Sequence, residues 1–386
     1  MTSTFQRDRS TWLLYLFLAL YGYFLNILGP ITPFLKDELS LSYTVSSLHF
    51  TAFAVGILLV GLGGHLVIRR LGRWRALWLG AFGMGLSALL LIAGRSAPLT
   101  IGASFCMGLV GSLLLAAVPS ALSDRHGELR AVALSEANVI ASGISAAAPL
   151  LVGWFAAAPG GWRLALVVAA LAPFMMRLGF RHAALAPSTS DAHVSPSTRR
   201  PLPLFFWVYW AALVLAVSVE FCMIFWSADY VENSLGLLKA HAAQSTSLFL
   251  AGMIVGRLAA SRLVQRFSSD RLVMASLAVA GAGFLLFWLA GTPLPGLVGL
   301  FVTGLGVAGL YPMLLALALG VARDDPDQAG ARTTLASGTA ILALPLVLGR
   351  LADLVGIRPA YGIVGVLLIG ILAIMWATRR SAPSIA

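Results

Sequence analysis

Runs of about 20 apolar residues, separated by short polar or charged turns, fill nearly the whole chain. At about 1.5 Å per residue, a helix of that length crosses the roughly 30 Å hydrocarbon core of a bilayer. The runs lack the strict apolar and polar alternation of barrel strands, and a helix satisfies its own backbone hydrogen bonds in lipid. The pattern therefore predicts an all-α integral membrane protein with twelve transmembrane helices, near residues 11–34, 44–68, 76–94, 98–122, 131–155, 161–181, 203–229, 243–264, 271–291, 296–321, 332–354 and 358–378.

A single sizeable polar segment divides these helices into two sets of six. Residues 183–203 are rich in proline, serine and threonine, which is typical of a flexible linker. We expect an N-terminal six-helix bundle over residues 1–182 and a C-terminal six-helix bundle over residues 204–386. The two halves also repeat at an offset of 196 residues, which indicates related bundles. The matched pairs are Phe53 and Phe249, Gly56 and Gly252, Arg70 and Arg266, Arg75 and Arg271, Gly108 and Gly304, Pro149 and Pro345, and Gly153 and Gly349.

The composition and the distribution of charge agree with a membrane protein. The chain is 59% hydrophobic and only 11% charged, which excludes an ordinary soluble domain. The net charge is +11. Most of the lysines and arginines fall at cytoplasmic ends or loops once the N-terminus is placed in the cytoplasm, as the positive-inside rule requires. We therefore expect a multi-pass protein of the cell inner (plasma) membrane with both termini cytoplasmic, and no nucleic-acid partner. The basic residues outside the cytoplasmic ends and loops are Lys36, Arg95, Arg163, Lys239, Arg350 and Arg358.

The sequence offers little support for an enzyme. It has no nucleotide-binding P-loop, and it has no cluster of residues with metal-ligand spacing. Its two cysteines, Cys106 and Cys222, each lie within a predicted helix, so no disulfide framework is expected. Arg7 and Arg9 precede an apolar run with no cleavage site, which predicts an uncleaved first helix. We expect neither a cofactor nor a bound metal.

The loop between helices 2 and 3 resembles the signature of the major facilitator superfamily. Gly64, Leu66, Arg69, Gly72 and Arg73 correspond to its glycine, leucine and arginine positions, whereas its acidic residue is replaced by isoleucine. The resemblance implies two six-helix bundles with a substrate site near the midplane, lined by helices 1, 4, 7 and 10, in a protein that usually works as a monomer. Helix 10, GLGVAGLYPMLLALALG, is more weakly similar to fucose-permease-like sugar transporters. Its glycines and proline also predict a bend.

Glu220 is the most informative candidate for a functional residue. It lies inside the apolar run Phe205–Asp229, where a charged side chain costs at least about 2.5 kcal/mol and usually serves a function. No lysine or arginine lies deep in helices 1, 4, 7 or 10, so we expect a carboxylate without a cation that loads and releases protons. Asn26, Tyr23 and Tyr311 are the polar residues expected to complete the binding site.

Several charged residues are candidates for gating. Glu136 is either a partner of Arg69 or Arg73 or an interfacial carboxylate. Arg257 either pairs with a carboxylate or extends toward the cytoplasm. Arg350 and Asp353 form either a local pair or an outer gate. Asp229 and Glu232, closer to the outer surface, are interpreted as interfacial.

These observations favour secondary active transport of a small neutral, sugar-like solute by alternating access, coupled to protons as a symport. A proton suits a lone carboxylate better than sodium, which needs several oxygen ligands. The alternative is a proton-coupled exporter of lipophilic or cationic compounds, favoured by the apolar and aromatic surroundings of Glu220. An alternative of another class is a non-transporting membrane sensor. The expected partners are a small-molecule substrate, protons and the lipid bilayer.

Overall fold

The computed structural model describes residues 5–183, 202–322 and 326–381, and among these residues the elements are helices joined by short turns, with no strand. One short 3₁₀ turn, Gly127–Leu129, joins α4 to α5. The helices are α1 Arg9–Glu38, α2 Tyr43–Leu71, α3 Arg73–Ala93, α4 Ala97–His126, α5 Arg130–Ala156, α6 Arg163–Gly179, α7 Leu204–Leu235, α8 Lys239–Leu263, α9 Ser269–Leu289, α10 Pro293–Val307, α11 Leu310–Val321, α12 Pro326–Val355, α13 Ile357–Ala360 and α14 Gly362–Ser381.

The prediction of twelve transmembrane helices is confirmed. Helices α1 to α9 follow the first nine predicted spans, α10 and α11 together form the tenth, α12 the eleventh, and α13 and α14 the twelfth. Ten stretches of the described residues are long and apolar enough to cross a membrane. One of them, Ala97–Ala156, contains both α4 and α5, and the shorter helix α6, of 17 residues, brings the number to twelve.

The predicted bend of the tenth helix is a break between α10 and α11. The α10 segment ends at Val307, and α11 begins at Leu310. Pro312 has no backbone N–H, so the helical hydrogen bond to the carbonyl of Ala308 cannot form. The regular pattern resumes with the N–H of Met313, which donates to the carbonyl of Gly309 at 3.3 Å.

The chain divides by its contacts into two compact units. The first unit comprises Met1–Leu41 and Leu48–His193, and the second comprises Ser42–Ser47 and Val194–Ala386. The first turn of α2 therefore belongs to the second unit. The predicted linker over residues 183–203 lies almost entirely outside the described residues.

Glycines at matched positions of the repeat make the same helix crossing within each unit. A Cβ atom added to Gly108 of α4 would lie 2.1 Å from the carbonyl oxygen of Phe53 in α2. A Cβ atom added to Gly304 of α10 would lie 2.1 Å from the carbonyl oxygen of Phe249 in α8. Both distances are far shorter than van der Waals contact, so only glycine permits the two backbones to approach this closely.

The partner helices contribute matched glycines to these crossings. A Cβ atom on Gly56 of α2 would lie 2.4 Å from the amide nitrogen of Leu109, and one on Gly252 of α8 would lie 2.2 Å from the carbonyl oxygen of Phe301. The glycines matched in the sequence repeat are therefore those that the close helix crossing requires in both bundles.

Candidate functional site

Glu220 of α7 faces a cation within the second unit. Its Oε1 atom lies 3.6 Å from Nη2 of Arg257, which belongs to α8. The carboxylate side chain is 18% exposed and the guanidinium side chain 48% exposed. The expectation of a carboxylate without a cation was wrong, because the partner comes from a helix outside the set expected to line the cavity. Of the two interpretations of Arg257, the structure has the paired one.

The pair of Glu220 and Arg257 can exchange its mutual attraction for a proton or for hydrogen bonds to a solute. Opposite charges at this separation offset part of the cost of placing either one away from water. Protonation of Glu220 would remove the attraction and leave the guanidinium available to another acceptor. The carboxylate accepts hydrogen bonds and the guanidinium donates them, so a solute with hydroxyl groups could satisfy both.

The remaining residues predicted for the binding site differ in their surroundings. In the first unit, Asn26 is buried, its Nδ2 donates to the carbonyl of Gly22 at 2.8 Å, and its Oδ1 has no hydrogen-bond partner among the described residues. The hydroxyl of Tyr23 donates to the carbonyl of Ala165 at 2.9 Å and so ties α1 to α6. In the second unit, Tyr311 is partly buried directly after the break between α10 and α11. Asn26 is therefore the predicted residue of the first unit that keeps an unused polar atom.

The glycine and arginine positions of the family signature form a tight turn. Gly72 is the one residue between α2 and α3, and its φ of +81° lies in the region that favours glycine. Arg73 donates to Oδ2 of Asp124 at 2.8 Å and to the hydroxyl of Ser120 at 2.9 Å, both on α4. Arg69 is exposed at the end of α2, and Gly64 lies buried one turn earlier.

Glu136 pairs with neither arginine of that turn. Its carboxylate accepts hydrogen bonds from Arg7 at 2.6 and 2.8 Å and from the hydroxyl of Tyr15 at 3.2 Å. The proposed partnership with Arg69 or Arg73 was therefore wrong. The hydrogen-bonded carboxylate raises the pKa of Arg7, which precedes the first helix.

A second ion pair fastens the same N-terminal segment to the first unit. Asp8 caps α1 by accepting from the N–H of Thr11 at 2.8 Å, and it also pairs with Arg125 at the end of α4. No local pattern predicts the ion pairs of Arg7 and Asp8, because their partners Glu136 and Arg125 lie more than 100 residues further along the chain.

Asp353 of α12 holds the first turn of α2 within the second unit. Its Oδ1 accepts from the N–H of Tyr43 at 2.8 Å, and its Oδ2 accepts from the N–H of Thr44 at 2.8 Å and from the Thr44 hydroxyl. These are N–H groups that a helix leaves unpaired at its start. Among the described residues no ion pair joins Arg350, which is exposed, to Asp353. The interpretation as a local pair was wrong, whereas a gating role stays a prediction.

Replacing Asp353 by alanine should lower the free energy of unfolding by about 1–2 kcal/mol, because the first turn of α2 loses its cap. Asparagine caps a helix nearly as well as aspartate, so Asp353→Asn should cost much less. Thermal unfolding of the three purified proteins in detergent measures both effects. An equal loss in both variants would mean that the negative charge, and not the hydrogen-bonding geometry, stabilises this turn.

Asp229 is a candidate functional residue that the sequence interpretation missed. Its side chain is fully buried in α7, and it accepts from Nδ2 of Asn233 at 3.2 Å and from the side chain of Tyr43. Enclosure by neighbouring helices was not expected, whereas the interpretation of Asp229 as interfacial in the membrane stays a prediction. Glu232, on the same helix, pairs with Lys239 at 3.4 Å. An asparagine four residues after an aspartate, on one face of an apolar helix, was the available signal.

A model of the protein family described as the Major Facilitator Superfamily matches residues 14–325 and, in a second match, residues 208–385. The chain belongs to the Major Facilitator Superfamily. This confirms the resemblance found at the turn around Gly72. Superfamily members are transporters and not a class of enzyme, so the chain is a multi-pass membrane transporter.

Individual members of the superfamily are similar over nearly the whole chain. An uncharacterized MFS-type transporter of Yersinia pestis is 22% identical over 375 residues, which cover 91% of each protein. A solved structure of a bacterial homolog of the human lysosomal transporter Spinster has a TM-score of 0.81 at 13% identity, over 99% of this chain and 100% of that chain. The nucleoside transporter NupG has a TM-score of 0.78 at 12% identity, over 96% of this chain and 98% of its own. These structural likenesses establish the superfamily fold.

Proposed function

We propose that this superfamily member is a proton-coupled symporter of a small neutral, sugar-like solute, working by alternating access as a monomer in the cell inner membrane. The observation that carries the proposal is the Glu220 and Arg257 pair, 3.6 Å apart inside the second unit. Intramembrane ionisable residues usually mark a substrate or ion pathway. Both termini are assigned to the cytoplasm by the positive-inside rule.

Coupling between proton and solute follows because a proton and Arg257 compete for the carboxylate of Glu220. With the carboxylate charged, Arg257 is held by its counter-ion and the pair is close to neutral. A proton on Glu220 releases the guanidinium, which can then donate hydrogen bonds to the oxygen atoms of a solute. Proton and solute binding therefore favour each other, as a symporter requires, because each stabilises the same arrangement of Arg257.

The alternative of exporting cationic compounds has less support. A cation would have to approach Glu220 beside the positive charge of Arg257, which lies 3.6 Å from the carboxylate. A cationic solute bound to Glu220 would therefore lie close to the guanidinium of Arg257, and the two positive charges would repel each other. Phe221 and Phe225 of the same helix, with ring centroids 5.2 Å apart, remain compatible with a lipophilic neutral compound.

Gating is proposed for the two ends of α2. Release of Tyr43 and Thr44 from Asp353 would free the first turn of the helix, and Gly72 would allow its other end to change direction against α3. Arg73, held by Asp124, and Glu136, held by Arg7, would then be contacts within the first bundle that keep it rigid.

Thermal unfolding of the purified protein against a panel of sugars, amino acids and lipophilic cations, at acidic and alkaline pH, tests the proposal. A ligand at 100 times its dissociation constant should add about 2.7 kcal/mol of stability. We expect a sugar to stabilise the wild type most at acidic pH. In Glu220→Gln the sugar should still bind, but with no dependence on pH, since the glutamine mimics the protonated carboxyl group.

Glu232→Gln is the matched control, because it neutralises another paired carboxylate on the same helix. It should keep the pH dependence of ligand binding. Stabilisation by cations that disappears in Glu220→Gln would instead support the exporter. Identical responses in the wild type and in Glu220→Gln would refute the role given to this residue.

A further inference from the structure

A column of aromatic rings runs along one face of α3. Trp74, Trp78 and Phe82 are spaced four residues apart, with ring centroids 5.8 Å and 5.5 Å from one ring to the next. Phe174 of α6 continues the column, with its ring centroid 5.0 Å from that of Phe82. Phe174 is 57% exposed, so the column is accessible from the side of the bundle.

A cation lies against the second ring of this column. The guanidinium carbon of Arg177 lies 5.4 Å from the ring centroid of Trp78, which is cation–π geometry. Arg177 follows Phe174 by one turn of α6, so both project toward α3. The indole Nε1 of Trp78 is buried and has no hydrogen-bond partner among the described residues. The column therefore combines an aromatic surface with an unused N–H donor and a positive charge.

This end of the first unit has an excess of positive charge. Three arginines at this end are neutralised: Arg7 by Glu136, Arg73 by Asp124 and Arg125 by Asp8. The exposed arginines without a carboxylate partner among the described residues include Arg9 and Arg130 and, around α2, α3 and α6, Arg69, Arg70, Arg75, Arg177 and Arg181. The excess lies where helices α2, α3 and α6 end or begin.

The second half of the repeat shows that the fold does not require this column. At the offset of 196 residues, Trp74, Trp78 and Phe82 correspond to Asp270, Met274 and Ala278. Arg177 corresponds to Ala373. Asp270 is neutralised by Arg379, whose Nε donates to it at 2.6 Å. The aromatic column at these positions is therefore confined to the first bundle, whereas exposed arginines occur at matched positions of both bundles, as at Arg75 and Arg271.

We propose that α3 and α6 hold a phospholipid with an acidic head group at this arginine-rich end. The guanidinium groups of Arg177 and Arg181 would bind the phosphate, since arginine recognises phosphate by paired hydrogen bonds. An acyl chain would lie along the exposed ring of Phe174. The aromatic column continues into the apolar part of the bundle, which fits a lipid and offers nothing to a free phosphate ion.

Native mass spectrometry and thermal unfolding in nanodiscs test the site with phosphatidylglycerol as the probe and phosphatidylcholine as the neutral lipid. We expect phosphatidylglycerol to bind and to raise the unfolding temperature above its value in phosphatidylcholine alone. Arg177→Gln and Arg181→Gln should each weaken its binding about fivefold, the effect of one arginine near an anionic lipid. Both side chains are exposed, so the variants should fold.

Arg271→Gln is the control, because it removes an exposed arginine at the matched position of Arg75 in the second half. It should leave the binding of phosphatidylglycerol unchanged. An equal loss in Arg271→Gln would mean a diffuse charge effect and would overturn the site. Equal binding of the two lipids, or stabilisation by inorganic phosphate in phosphatidylcholine nanodiscs, would also overturn it.

Discussion

Replacing Gly108 or Gly304 by alanine is expected to lower the free energy of unfolding by about 3 kcal/mol. The added Cβ atom would lie 2.1 Å from a backbone carbonyl oxygen of the facing helix, Phe53 in one case and Phe249 in the other. A backbone atom cannot turn aside as a flexible side chain can, so the two helices must separate. Separation loses contacts along the whole crossing, which is why one methyl group has so large an effect.

Thermal unfolding of each variant measures this loss of stability. Two other glycines of the chain serve as controls. Gly102 lies on the same helix as Gly108, and Gly281 lies on α9 in the second unit. A Cβ atom at either position would meet nothing within 4 Å. Gly102→Ala and Gly281→Ala should leave stability unchanged or raise it, since alanine has the higher helix propensity. If all four variants behaved alike, close packing at the crossings would not be the cause.

Arg257→Gln is expected to destabilise the protein by about 1–3 kcal/mol at alkaline pH, because it leaves the charge of Glu220 without its partner. Lowering the pH should reduce the loss, since a protonated Glu220 no longer needs a cation. Glu220→Gln combined with Arg257→Gln should be more stable than Arg257→Gln alone. The free energies of unfolding of the wild type, both single variants and the double variant give the coupling energy directly.

The pair of Asp270 and Arg379 is the control for this cycle. It joins a carboxylate and an arginine in the same unit, with side chains 35% and 39% exposed. Exposed pairs contribute about 0–1 kcal/mol, so Asp270→Asn and Arg379→Gln should show little coupling and little dependence on pH. A coupling energy for Glu220 and Arg257 as small as this would contradict a functional pair.

The elements of the fold could be predicted from the sequence, because span length and hydropathy are properties of each segment by itself. The break near Pro312 could be predicted for the same reason, since proline removes a hydrogen bond wherever it lies in a helix. The repeat identified Gly108 and Gly304 without revealing their role. Their role depends on the backbone of another helix, which no local pattern describes.

Partners of the charged residues could not be predicted. The helices expected to line the cavity carry no deep lysine or arginine, and the partner of Glu220, Arg257, comes from α8 instead. The sequence predicts Arg69 or Arg73 as the partner of Glu136, whereas the partner is Arg7, before the first helix. Burial of Asp229 was missed because distance from the end of a span measures depth in the membrane and not enclosure by neighbouring helices.

The break between α10 and α11 makes the two halves mechanically unequal. At the matched position of the first half, α4 continues unbroken through Leu113 and Ala116 to His126. The tenth transmembrane helix can therefore change its angle at Ala308 and Gly309, whereas α4 has no break at the matched position and contains its proline, Pro119, further along the helix. Matched positions of the repeat therefore lie in a hinge in the second half and in a continuous helix in the first half.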